Sequence, residues 1–494
     1  MQSIGNVSQK VIDTIEVSKK DEVFLKITCE ASVAQELCDF FTFTVPGHTF
    51  MPAYRMKIWD GKIRLFNIHN RLLYSGLLEY VFIFAEKRNY EVKPDGDWWK
   101  PRKIEKNEEF LKNLKLPFEP RDYQLDGFHH ALSYKKTLLV SPTASGKSLI
   151  IYLIVRALNV KTLIIVPTTS LVSQLYSDFQ EYGWDSAKYC HQVYAGQDKV
   201  SDKLVVISTW QSIYKLNKKT FEPYRLVIGD EAHGFKSKSL TTLMTKCVNA
   251  EYRIGTTGTL DGTQTHKLVL EGLFGKVYKV TTTKKLMDRK ELSSLHVEII
   301  LLKYPDVICE QFKQIKYADE IEFLVGHEKR NKYIRNLVLS LEGNTLLLFR
   351  LVKKHGRILY DMIKEKTDDN RKTFFVFGGT ETETREQIRA IAETERDAII
   401  VASYGVFSTG INIRNLHNIV FASPSKSRIR NLQSIGRGLR LSDTTDKTTL
   451  YDIADDLRWK NRKNYAYRHH EDRLKIYDEE KFPYKIHKIL LKVN

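Results

Sequence analysis

Ser141-Pro142-Thr143-Ala144-Ser145-Gly146-Lys147-Ser148 has the residue types of a phosphate cradle. Apolar runs flank it at 137–140 and 149–154, so the pattern reads strand, loop, helix. Backbone N–H groups of such a loop, with the free amides that open the next helix, make an anion site. Thr143, Ser145 and Gly146 would line it, Lys147 would reach the terminal phosphates, and the Ser148 hydroxyl would hold Mg²⁺. The chain is therefore read as binding a nucleoside triphosphate, ATP. Gly-Lys-Ser alone is a common helix start; the flanking pattern and the rest of the chain carry the reading.

Leu226-Val227-Ile228-Gly229 runs into Asp230-Glu231-Ala232-His233. Carboxylates that end a buried strand stand where parallel sheets bind ligands. Asp230 is assigned to Mg²⁺, through water, and Glu231 to polarising the attacking water. Their strand is expected beside the phosphate-loop strand; a solvated acidic loop is the alternative. Gln124, in Phe118-Glu119-Pro120-Arg121-Asp122-Tyr123-Gln124, can read an adenine edge with its amide, or simply start a helix. In Gln433-Ser434-Ile435-Gly436-Arg437-Gly438-Leu439-Arg440, helical spacing puts Gln433, Arg437 and Arg440 on one face. Two guanidiniums there call for an anion, and Arg437 and Arg440 are read as arginine fingers on the triphosphate. A solvent-facing basic helix is the alternative. Thr168 and Thr209 follow strand-like runs and could grip a nucleic-acid backbone or act as ordinary caps.

Two series of near-continuous Val/Ile/Leu runs must position these groups. One series covers 137–140, 162–166, 204–207, 226–228 and 252–256. The second covers 345–349, 373–377, 398–401, 418–422 and 448–452, with the small-residue loop of Gly410 inside it. Runs of this kind suit parallel sheets covered on both faces, so two tandem α/β units are expected. Residues 20–95 read as β-rich with one helix at 34–41, and 96–115, with Pro101 and mixed charge, as a linker or solvated helix. The stretch from 456 to 494 reads as a short, basic, aromatic helical tail.

The composition is globular, 42% hydrophobic and 28% charged, and 494 residues suffice for several cores. The formal net charge of +18 favours a polyanionic partner. Five scattered cysteines without CxxC spacing argue against a disulfide framework or zinc site and point to a reducing cytoplasm. No signal peptide or run of transmembrane length is visible, so no membrane role is expected.

Asp60-Gly61 is a two-residue hairpin signal. With that turn, Trp59 would oppose Lys62, Ile58 oppose Ile63, Lys57 oppose Arg64, and Met56 oppose Leu65. Met56, Ile58, Ile63 and Leu65 would pack on a core. Arg55, Lys57, Trp59, Lys62, Arg64 and Phe66 would share a basic, aromatic face for DNA, with Trp59 or Phe66 stacking on bases or a sugar edge; a solvated basic face is the alternative.

Taken in order, these motifs resemble those of superfamily two helicases and translocases. Ser141 at the loop's first position fits that group, and Ala144 replaces a more usual Gly. A closer resemblance is to the phage UvsW family of branch-migrating DNA helicases. It rests on Ile164-Ile165-Val166-Pro167-Thr168-Thr169, Lys329-Arg330-Asn331-Lys332, Ile399-Ile400-Val401-Ala402-Ser403-Tyr404, Trp59-Asp60-Gly61-Lys62 and Asp478-Glu479-Glu480-Lys481-Phe482. The resemblance implies 3′-to-5′ ATP-driven translocation that remodels forks, Holliday junctions and R-loops in replication, recombination and repair. The expected α/β architecture is a DNA-binding α+β domain at 1–95, a linker at 96–115, RecA-like domains at 116–290 and 291–455, and the tail. ATP and Mg²⁺ would bind between the RecA-like domains, with Gly410 among the nucleotide contacts. The partner would be branched, duplex or single-stranded DNA, or an RNA–DNA hybrid, and the motor a monomer. An RNA helicase or plain duplex translocase is the alternative on the same motor. A basic nucleic-acid-binding protein with a vestigial ATPase is the alternative outside the enzyme class.

Overall fold

In the computed structural model the apolar runs form strands, most of them buried from end to end; Thr373–Val376, at a sheet edge, is largely half-buried. The structure describes residues 13–104, 108–194, 196–368, 370–409, 413, 415–423, 427–439 and 447–491. They divide into two compact units, one running to residue 280 without 141–145, the other holding 141–145 and the chain from 281 onward.

The first unit contains a seven-stranded, all-parallel sheet in the order Cys190–Val193, Val205–Thr209, Thr162–Val166, Leu226–Asp230, Tyr252–Thr257, Lys136–Val140, Val277–Lys279. Contrary to the expectation from sequence, the carboxylate strand does not lie beside the phosphate-loop strand; Tyr252–Thr257 stands between them. The packing explains the order. Phe274 lies across Gly229 and Gly255 on the two neighbouring strands, so closely that a β-carbon at Gly229 would sit 2.6 Å from its ring. Only glycines in adjacent strands admit the ring, and run composition does not reveal that pairing.

The second unit repeats the design. Its seven parallel strands run Thr373–Val376, Ile399–Ser403, Thr345–Phe349, Asn418–Phe421, Lys447–Asp456, Ser294–Lys303, Tyr484–Leu490. The tail read as helical holds the helix Tyr465–Glu479 but then adds Tyr484–Leu490 as the sheet's edge strand. That strand, Tyr-Lys-Ile-His-Lys-Ile-Leu, is largely exposed, and its charged residues disguise the alternation. Arg473 and Tyr477 of the helix are buried against Asp452, with Nε–Oδ2 at 2.8 Å and Oη–Oδ2 at 2.9 Å.

Within the first unit, the N-terminal region forms a five-stranded sheet ordered Phe66–Asn67, Leu72–Tyr74, Phe24–Thr28, Thr14–Lys19, Glu91–Pro94. Two helices, Ala31–Phe40 and Leu78–Glu86, close its core. The second was missed because Leu-Glu-Tyr-Val-Phe-Ile-Phe-Ala-Glu is nearly continuous in apolar residues, and periodicity cannot separate such a run from a strand. The stretch read as a linker carries the helix Glu108–Leu114, whose Phe110 ring stacks on Phe128 at 5.9 Å.

The hairpin expectation needs correction. Lys62–Arg64 pairs with Thr42–Thr44, not with 57–59. Pro52 instead opens a short helix, Pro52–Arg55, and Ile58 and Trp59 donate their backbone N–H groups to Ala53 O. Proline preset for a first helical turn outweighs the turn dipeptide downstream. Leu65 is buried as expected, but Phe66 is buried in the same core rather than facing DNA, and Met56 and Ile58 are 67% and 74% exposed.

Candidate active site and nucleic-acid surface

Every loop singled out in the first unit emerges at the carboxyl end of a parallel strand. Register aligns Asp230 with Thr256, Thr257 with Val140, and Thr209 with Val166. Parallel pairing thus brings motifs far apart in sequence to one edge of the sheet, where ligands bind.

The phosphate loop joins Lys136–Val140 to the helix Lys147–Leu158. Ala144 and Gly146 both take left-handed conformations, at φ +66° and +77°, which curl the backbone within a few residues. Ser141 Oγ donates to Ser145 Oγ at 2.6 Å, and Ser145 Oγ donates to Pro142 O at 2.7 Å, so the loop carries its own bracing. Gly146 is required twice, for its φ and because a β-carbon there would lie 2.2 Å from Gln124 Nε2. Gln124 Oε1 meanwhile accepts from Arg121 N–H at 2.9 Å. Gln124 is therefore both a helix-start residue and a wall of the cradle. Thr143 lies in the loop, and Lys147 and Ser148 open its helix, whose residues 149–155 are buried.

Across the strand ends, Asp230 is buried and accepts from Thr256 Oγ1 at 2.7 Å. Burial and the adjacent Glu231 charge raise its pKa, while the Lys147 charge and the Thr256 hydrogen bond oppose them. A buried carboxyl under that pressure is suited to a cation. Glu231 turns the chain at φ +50°, an uncommon conformation for a long side chain. His233 Nδ1 stands 3.3 Å from Glu231 Oε2 and 3.1 Å from Thr257 Oγ1, joining the acidic loop to Thr257-Gly258-Thr259.

Two contacts were not anticipated. Ser148 Oγ shares a 2.9 Å hydrogen bond with Tyr182 Oη, and Lys236 Nζ reaches Asp261 at 2.6 Å. Neither Tyr182 nor Asp261 belongs to a motif with fixed spacing from its partner, so no sequence signal marks them. Burial pushes the Tyr182 hydroxyl up to about 12, and it stays protonated.

Thr168 and Thr209 both stand at helix N-cap positions, and only Thr168 caps with its side chain. Thr168 Oγ1 accepts from Leu171 N–H at 3.4 Å, and Thr209 Oγ1 lies 2.8 Å from Ser212 Oγ. Gln211 Nε2 ties their loops by donating to Pro167 O at 3.4 Å. In the N-terminal region, Arg55, Lys57, Trp59 and Arg64 line a groove of about 900 Å³ with Thr49, Tyr54, Ile58 and Asp60. Lys62 lies beside it, its carbonyl accepting from Trp59 Nε1 at 2.8 Å.

In the second unit, Gln433 and the backbone of Arg437 belong to the helix Arg428–Gly438, which ends before Arg440. Gly410 and Arg440 lie outside the described residues. Among the described residues, all five cysteines are free, no helix is long and apolar enough to cross a membrane, and no cluster of metal-binding side chains forms.

Comparison with known proteins bears on the whole assembly. The family model described as DNA helicase UvsW, N-terminal, matches residues 14–95. Type III restriction enzyme, res subunit, matches 106–262, and helicase conserved C-terminal domain matches 328–442. The ATP-dependent DNA helicase uvsW of Enterobacteria phage T4 is 35% identical over 95% of this chain and 98% of its own length. This chain belongs to the UvsW helicase family. The crystal structure of T4 UvsW superposes with a TM-score of 0.51 at 33% identity, covering 97% of this chain and 100% of that one. The DNA 3′-5′ translocase XPB2 of Sulfurisphaera tokodaii is 25% identical over 69% of this chain and 84% of its own length. The two seven-stranded sheets are thus tandem RecA-like domains, and the chain is an ATP-hydrolysing, nucleic-acid-binding helicase.

Proposed function

We propose that this helicase is an ATP-driven DNA translocase, moving 3′ to 5′, that remodels branched DNA such as forks, four-way junctions and R-loops. The observation that carries the reading is the joining, in one compact unit, of a motor sheet to a basic and aromatic N-terminal groove within the region matched by the UvsW N-terminal model. The polarity follows the translocase relative. A phage-encoded chain of this kind works as a monomer in the host cytoplasm.

The cradle fits ATP and Mg²⁺. Gln124 stands at the adenine side, and Thr143, Ser145, Gly146 and Lys147 hold phosphates. Ser148 and the buried Asp230 would hold Mg²⁺, which neutralises phosphate charge when bound. Glu231 orients the attacking water, its carboxylate steadied by His233. Gln433, Arg437 and Arg440, with the Gly410 loop, are proposed to act on the transferred phosphate. Thr168 and Thr209 would follow one strand's backbone, while Arg55, Lys57, Trp59, Lys62 and Arg64 hold duplex beside the branch.

The test is the steady-state ATPase rate without nucleic acid and with single-stranded DNA, duplex, a four-way junction and RNA. Branched DNA should stimulate most; stimulation mainly by RNA would overturn the substrate. Lys147→Ala should abolish turnover under every condition while leaving DNA binding within about twofold, because the lysine acts on phosphate charge. Retained turnover in that variant would remove the nucleotide-site assignment.

A further inference from the structure

Tyr182 stands beside the nucleotide loop although no motif includes it. Its hydroxyl lies 2.9 Å from Ser148 Oγ, the side chain assigned to Mg²⁺. The phenol is fixed without help from that serine. Its backbone N–H donates to Asp178 O at 2.9 Å, closing the helix Thr169–Glu181, and its carbonyl accepts from Tyr152 Oη at 3.4 Å. Its ring centroid lies 5.2 Å from that of Tyr152 and 5.7 Å from that of Phe118, and only 9% of the residue is exposed.

One stripe of the helix Lys147–Leu158 meets this segment. Ser148, Tyr152 and Arg156 follow at four-residue spacing and share a face. Arg156 Nη1 donates to Tyr152 Oη at 2.5 Å, and its guanidinium lies 5.0 Å from the centroid of a Trp184 ring. The aromatic side of the contact is therefore held in place, and the serine is the adjustable partner. Ser148 turns about a single side-chain bond among staggered positions. A hydroxyl carries one hydrogen and two lone pairs. When Ser148 directs its hydrogen to Tyr182 Oη, both lone pairs remain on the side away from the phenol, open to a cation. A hydroxyl oxygen that binds a cation becomes a stronger donor and a poorer acceptor, so cation and phenol favour the same arrangement. Outer partners that orient the ligands of a metal set its affinity in this way.

We propose that Tyr182 is a positioning residue for the motor's cation: its phenol oxygen accepts the Ser148 hydrogen bond and so keeps the serine oxygen turned to Mg²⁺. This rests on the reading of Ser148 as a Mg²⁺ ligand, and extends that site to a residue outside every motif.

The experiment uses the full-length chain without nucleic acid. Electron paramagnetic resonance measures the affinity for Mn²⁺, a paramagnetic stand-in for Mg²⁺, in the presence of ADP. A fluorescent ADP analogue in EDTA measures nucleotide binding without metal. Wild type, Tyr182→Phe, Ser148→Ala and the double variant are compared. Tyr182→Phe keeps the ring and removes only the hydroxyl. It should weaken Mn²⁺ binding about tenfold, the scale of a lost outer partner, and leave the affinity in EDTA within about twofold. The Mg²⁺ concentration for half-maximal ATP hydrolysis should rise by the same factor, with turnover restored at saturating Mg²⁺. In the Ser148→Ala background Tyr182→Phe should have no further effect, because its route is the serine oxygen. Unchanged Mn²⁺ affinity in Tyr182→Phe would overturn the positioning role. So would an equal loss in the Ser148→Ala background, which would put Tyr182 outside the serine's path. A matching loss of ADP binding in EDTA would overturn it too, marking a merely structural part. Ser148→Ala separates the two levels. Unchanged Mn²⁺ affinity there defeats the serine's assignment to the metal, whereas a loss there with an inert Tyr182→Phe defeats only the positioning role.

Discussion

Ala144 shows how a single residue shapes the nucleotide loop. It sits at φ +66°, a conformation that glycine takes freely and alanine does not. Its neighbour Gly146 is also left-handed, so the loop's curl depends on two such positions, one of them strained. Ala144→Gly should relieve the strain and raise stability by about 1 kcal/mol, partly offset by the greater freedom of glycine in the unfolded chain. Calorimetry of the nucleotide-free protein measures it; a fall in the melting temperature would contradict the strain. The same scale explains the acid pair. Asp230 and Glu231 are adjacent in sequence yet differ in surroundings, one buried on Thr256 and the other turned outward toward His233.

Strand ends and the turns after them carry the chemistry at the scale of elements, and one such turn makes stability depend on pH. After Thr345–Phe349 the chain winds through Val352–Gly356, burying His355 with Nδ1 3.1 Å from Ser423 Oγ. Burial and the nearby Arg330 charge lower its pKa from 6.5 to about 3. The unfolded chain therefore binds a proton there more readily than the folded one. The contribution is fully present above pH 6.5 and is lost as pH falls from 6.5 toward 3. The loss should approach 1.4 kcal/mol per pH unit, the effect of one proton. His355→Asn should flatten that part of the acid-unfolding curve, measured as the difference from wild type by denaturant titration at several pH values. Parallel curves would show that His355 does not contribute.

For the whole molecule, the decisive feature is how the N-terminal sheet is fastened to the first RecA-like sheet. Gly76 lies so close to the helix Gln264–Phe274 that a β-carbon would come within 2.0 Å of Glu271 O. Tyr80 Oη donates to Glu271 Oε2 at 2.6 Å, and Lys136 Nζ donates to Glu22 O at 2.9 Å and Ser75 Oγ at 3.0 Å. Leu268 and Val269 of the motor helix belong to the N-terminal core itself. The groove and the motor sheet thus belong to one compact unit. Gly76→Val would force backbone apart, since neither glycine's neighbours nor Glu271 O can withdraw as a flexible side chain would. It should lower the stimulation of ATP hydrolysis by branched DNA while the DNA-independent rate persists. Unchanged stimulation would show that the joint does not couple groove to motor.

Much of the design is legible in the sequence alone. The parallel sheets were written in runs such as Thr-Leu-Ile-Ile-Val at 162–166, because a strand covered on both faces has no polar side to vary. The phosphate-loop motif and Asp230-Glu231 are legible because each packs its distinctive residue types into one turn directly after an apolar run. Tertiary structure alone decided what depends on partners distant in sequence. It put Tyr252–Thr257 between the phosphate and carboxylate strands, where Phe274 needs two facing glycines. It gave Tyr182 to Ser148 and joined the tail's last strand to Ser294–Lys303. It also replaced the Asp60-Gly61 hairpin with a pairing to Thr42–Thr44, leaving Met56 and Ile58 in solvent. Local sequence states what a segment prefers; which neighbour it meets is settled by burial and steric fit across the whole chain.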